Sequence, residues 1–138
     1  FSQFGASSTS DFASAGWAQL ALRPVLPGTS SALRQAALST SGVLTVADRV
    51  RSSVARAWVW GWVTEAGVVV SGSGSTRTVT LTQDGRTVRI ALSGLPSGST
   101  VSVVSAPSGV VGPTGRALRA VTVTTGKTTS LALTAKVS

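Results

Sequence analysis

The stretch Arg56-Ala57-Trp58-Val59-Trp60-Gly61-Trp62-Val63 decides the fold, because it places three of the four tryptophans of a 138-residue chain at every second position. Successive side chains of an extended chain point to opposite faces, so Trp58, Trp60 and Trp62 share one face and Val59, Gly61 and Val63 share the other. A helix would scatter the indoles. The spacing therefore predicts a strand, and the weight of aromatic surface predicts that it is central, with the indole row against the core and Trp60 the most enclosed. Gly61 would let a neighbouring element approach closely. If the row is exposed instead, Trp58, Trp60 and Trp62 form a platform for stacking on sugar rings.

Downstream, residues 77–92 predict a β-hairpin. Asp84-Gly85 suits the type I′ turn, whose two central residues both need positive φ. That turn opposes Leu81 to Val88 and Val79 to Ile90 and sets all four toward the core, with Thr78, Thr80, Thr82, Thr87 and Arg89 on the other face. Residues 68–70 read as a short strand, 100–105 as another, and 107–115 (PSGVVGPTG) as a long loop. Residues 117–125 and 129–137 read as a last hairpin with a three-residue loop, opposing Val123 to Leu131 and Val121 to Leu133.

Upstream, residues 17–25 (WAQLALRPV) alternate Ala18, Leu20 and Leu22 against Gln19 and Arg23. They read as a strand ended by Pro24. After Pro27-Gly28, the run TSSALRQAAL offers a Ser/Thr cap and Leu33 and Ala37 at i, i+4, which predicts a short helix. Residues 43–47 have strand composition, whereas 49–55 carry both helical and strand periods and stay open. Residues 1–16 are dominated by Ser, Gly, Ala and Thr and predict an extended arm. All three phenylalanines, Phe1, Phe4 and Phe12, lie there as candidate anchors for assembly.

Short strands separated by frequent turns predict one mainly β domain over residues 17–138. The expected architecture is an antiparallel sandwich or barrel with one or two short helices, subdivided near 71–76 if the SGSGST stretch is a linker. The C-terminal half resembles an immunoglobulin-like or fibronectin-like module, and jelly-roll topology is the alternative. This is a likeness of architecture that no motif carries.

The chain has no Cys, His, Met or Tyr and no Asn. Its acids are Asp11, Asp48, Glu65 and Asp84. Neither an acid–base pair nor a carboxylate-rich metal site can be assembled from four scattered acids, so no enzyme activity, cofactor or metal is expected. Apolar runs fall well short of the roughly 20 residues that a membrane-spanning helix needs.

A net charge of +8 favours a polyanion such as nucleic acid as partner, with Arg49, Arg51 and Arg56 the densest basic cluster. The expected function is a self-assembling structural subunit of a capsid, filament or surface layer, extracellular or in a virion, whose partners are other copies of itself. The alternative is a carbohydrate-binding accessory module that uses the tryptophan row.

Overall fold

The computed structural model describes residues 8–13, 17–21, 28–107 and 109–138, with side chains from residue 28 onward. Among these residues, eleven strands make two open antiparallel sheets. They are β1 (Ser8–Ala13), β2 (Trp17–Ala21), β3 (Thr29–Leu38), β4 (Leu44–Arg56), β5 (Val59–Thr64), β6 (Gly67–Ser71), β7 (Thr76–Gln83), β8 (Arg86–Ser93), β9 (Thr100–Ser105), β10 (Arg119–Thr124) and β11 (Thr128–Val137). The large sheet runs β1-β2-β3-β4-β11-β8-β7-β6 and the small sheet β5-β10-β9. The two form a β-sandwich, and the described residues contain no helix.

The predicted helix over TSSALRQAAL is strand β3. It pairs with β4 along nearly its whole length, residues 33–37 pair with β2 on the other side, and these ladders outweigh the local cap signal. The open stretch 49–55 belongs to β4, one strand of 13 residues whose Asp48, Val50 and Ser52 are buried while Arg49 and Arg51 are exposed. Such alternation is that of a sheet with one wet face.

The Asp84-Gly85 hairpin has the expected register, Leu81 opposite Val88 and Val79 opposite Ile90, with φ of 50° at Asp84 and 72° at Gly85. Val79 and Ile90 are buried and Leu81 packs on the core, but Val88 is 39% exposed. It lies two residues beyond the turn, near the margin of the sheet. The SGSGST stretch is the turn between β6 and β7, which pair directly.

The last two strands are not a hairpin. β10 pairs with β5 and β9, while β11 pairs with β4 and β8, so the chain changes sheets between them. Val121 and Val123 do belong to the same buried core as Leu131 and Leu133, but from opposite sheets. Alternation shows which face is apolar; a ladder and a sandwich interface satisfy it equally.

The core joins Val79, Ile90, Leu92, Leu131, Leu133 and Ala135 of the large sheet to Val121 and Val123 of the small one. Three strands cannot cover eight at a common spacing of about 4.8 Å. The inner face of the large sheet therefore runs on beyond β5, and there Leu38 and Leu44, paired across β3 and β4, are exposed.

Candidate functional site

The tryptophan stretch is not the central strand: among the described residues β5 is an edge of the small sheet, paired with β10 alone. The face assignment holds. Trp60 and Trp62 are half-buried and pack on the core, as does Trp58 just before the strand, while Val59, Gly61 and Val63 are exposed. Trp60 and Trp62 meet edge to face, with ring centroids 5.1 Å apart and planes at 67°, a favoured aromatic geometry. A Cβ on Gly61 would collide with the Val121 carbonyl oxygen of β10, so this position needs glycine for the close approach.

Backbone polarity along β5 follows from its first pairing. The Thr125 N–H donates to the Trp58 carbonyl at 2.9 Å, and the Trp58 N–H donates to Thr125 Oγ1 at 2.9 Å. In an antiparallel ladder alternate residues turn their N–H and C=O groups to opposite sides. Trp60 and Trp62 therefore direct theirs toward β10, and Val59, Gly61 and Val63 direct theirs toward the free edge.

A cleft of about 340 Å³ runs along that edge. Five consecutive β5 residues, Val59 to Val63, line it, as does Trp58. Its remaining walls come from β3, β4, β11 and β10, and include Val50 and Leu131. Lining by both faces of one strand means that the cleft follows the backbone edge, where no other described strand pairs. Trp62 Nε1 is buried and has no hydrogen-bond partner among the described residues, whereas Trp58 Nε1 donates to the Thr128 carbonyl at 3.3 Å.

The polar floor of the cleft is an ion pair absent from the sequence-based expectation. Asp48, 4% exposed, accepts from Arg34 Nε and Nη2, both at 2.7 Å. These hydrogen bonds raise the Arg34 pKa above its ordinary value against the opposing effect of burial, and the charge of Asp48 adds to the rise. A signal did exist: Asp48 keeps step with Val46 and Val50 on the inward face of a strand, where a carboxylate requires a paired cation. The helix assigned to residues 29–38 concealed which arginine supplies it.

Glu65 and Asp84 are also engaged. Glu65 accepts from the Thr114 N–H at 2.9 Å and from the Thr114 hydroxyl, and Asp84 forms a two-point pair with Arg116 at 3.0 and 2.7 Å. Both tether the long loop between β9 and β10.

The basic cluster is divided. Arg49 and Arg51 stand on the solvent face of the large sheet, the face also taken by Arg89 and Lys136, whose neighbours Ile90 and Ala135 point inward. Arg56 ends β4, with its guanidinium against Gly28. Of the phenylalanines, Phe12 falls in β1, in register with Ala18 of β2; Phe1 and Phe4 lie outside the described residues. No protein-family model matches the chain, and no curated protein matches its sequence.

Proposed function

We propose that this chain is a non-enzymatic structural subunit that assembles with further copies of itself through its sheet edges, as in a capsid, filament or surface layer. One observation carries the reading: among the described residues both edges of the small sheet, β5 (VWGWVT) and β9 (TVSVVS), pair with no further strand, and they bear no charge and no proline. Monomeric proteins guard such edges with lysine, proline or bulges, because unpaired N–H and C=O groups template the addition of another strand. On a chain of net charge +8, two strands without a charged side chain are an economical place for contacts between copies. The solvent face with Arg49, Arg51, Arg89 and Lys136 suits a polyanion such as packaged nucleic acid, bound in a salt-dependent way.

Light scattering and negative-stain microscopy of the purified chain test the reading. Ordered oligomers or particles are expected, and a monodisperse monomer at high concentration overturns it. A carbohydrate-binding role has one support, the cleft lined by Trp58, Trp60 and Trp62. Those indoles face the sandwich interior, which suits a segment entering from the edge better than a sugar stacking on an open platform.

A further inference from the structure

We propose that the outer face of the large sheet binds the phosphate backbone of double-stranded nucleic acid without reading its bases, through Arg49, Arg51, Lys136 and Arg89. This deepens the polyanion contact named above and rests on it. The ladder registers put the four cations in one band. Lys136 of β11 lies level with Thr45 of β4 on one side and with Ala91 of β8 on the other. Arg49 and Arg51 follow along β4 in one direction. Arg89 stands two residues from Ala91 in the other, its backbone hydrogen-bonded to that of Ser138. At about 3.4 Å per residue and 4.8 Å per strand, the band runs diagonally for about 29 Å.

Among the described side chains no acid answers this charge. Asp48 faces inward, Glu65 and Asp84 are engaged by Thr114 and Arg116, and the ion pairs among the described residues involve none of the four. Like charges in one band repel each other, and a polyanion laid along them turns that cost into attraction.

The surrounding chemistry selects the backbone over the bases. Along β11, β8 and β7 the other outward residues are Ser, Thr or Ala, as are Thr45 and Ala47 of β4. Hydroxyl and guanidinium groups donate to phosphate oxygens. The major groove, about 12 Å wide, admits a helix or a two-stranded ribbon, whereas β4, β11 and β8 are flanked by β3 and β7 in one sheet. Single strands are held by aromatic groups that stack on bases, and Trp58, Trp60 and Trp62 pack on the core instead. A lipid surface calls for large apolar groups beside the cations; those outward positions offer none. The edges offered for assembly, β5 and β9, belong to the other sheet, so the two contacts use different residues.

Fluorescence anisotropy of a labelled duplex of about 20 base pairs, longer than the band, reads the contact on the purified full chain. Light scattering of the same samples reads assembly separately. The binding constant should fall with salt at a log–log slope of about −3.6 per chain, which weakens binding about 100-fold between 50 and 200 mM. Arg49→Gln with Arg51→Gln should bring the slope to about −1.8 with circular dichroism unchanged. Arg86→Gln with Lys127→Gln removes the same charge outside the band, from the inward register of β8 and the β10–β11 loop, and should leave the slope as it was. Duplexes of A·T and of G·C should bind within about threefold of each other, less than a single mismatch costs a protein that reads bases.

Equal slopes for the two double variants would trace binding to net charge alone and overturn the assignment. So would tighter binding of a single strand with quenched tryptophan emission, a preference of roughly tenfold or more between the two duplexes, or attachment to phosphatidylserine vesicles that needs Arg49 and Arg51 when duplex binding does not. Particles that form while duplex stays unbound overturn this assignment and leave assembly standing. A monomer that binds duplex with the expected slopes supports the assignment and overturns the assembly reading.

Discussion

Arg34 and Asp48 stand directly opposite each other in the β3–β4 ladder, and the guanidinium holds both carboxylate oxygens at 2.7 Å. The pair sits on the inner face of the large sheet, where an unpaired carboxylate would be costly. Arg34 keeps 36% of its side chain in solvent. Arg34→Ala should therefore cost about 2 to 3 kcal/mol, less than the roughly 3 to 5 of a fully buried pair that loses one partner. Replacing both residues together, Arg34→Met with Asp48→Leu, should restore most of that. Urea denaturation of the wild type and the two variants measures the difference. A double variant no more stable than Arg34→Ala would show that the pair does more than neutralise a buried charge.

Trp60→Ala opens the wall of the cleft and removes the edge-to-face contact with Trp62. Because the indole is half-buried, the expected loss is about 3 kcal/mol, at the low end for large aromatic truncations. Unchanged stability in thermal or denaturant unfolding, together with loss of binding on a glycan array, would move the tryptophan row from packing to carbohydrate recognition.

Gly85 occupies the second central position of the hairpin turn at φ 72° with open space around the site of a Cβ. Sterics with neighbours are thus excluded as a cause, and only backbone conformation opposes substitution. Gly85→Val should destabilise by about 1 to 2 kcal/mol, while Gly85→Asn should cost clearly less, since asparagine tolerates the left-handed region. Equal effects of the two substitutions on the unfolding midpoint would contradict the turn assignment.

Asp84 and Arg116 form an exposed pair. Hydrogen bonding from Arg116 holds the Asp84 carboxyl below its ordinary pKa, helped by the charge of Arg116. A lowered folded-state pKa contributes stability that is present above the unfolded value and disappears as pH falls through the folded one. Acidification below the ordinary carboxylate range should therefore release the loop at Arg116. Carboxyl-carbon NMR should give Asp84 a depressed midpoint that Arg116→Ala returns to normal and that high salt moves the same way. A midpoint indifferent to Arg116→Ala would rule the pair out as the cause.

Local chemistry determined much of this protein before any tertiary contact. The tryptophan alternation assigned faces correctly, since period two belongs to the strand itself. Asp84-Gly85 determined a hairpin and its register, because few residue pairs accept two positive φ values in succession. The scarcity of acids and the absence of histidine and cysteine set the chemistry of the side chains.

What only the tertiary structure decided was partnership. TSSALRQAAL carries a helix cap, yet it is a strand because β2 and β4 satisfy its backbone on both sides. Val121, Val123, Leu131 and Leu133 are inward in either arrangement, and only the assembled sandwich places them in opposing sheets. In the same way β5 is an edge, and Arg34 reaches Asp48, because of the order in which distant strands pair. A strand's alternation records how many of its faces are buried but carries no information about which neighbour buries them or which edge stays open. The candidate site depends on those two facts and so emerged only from the fold.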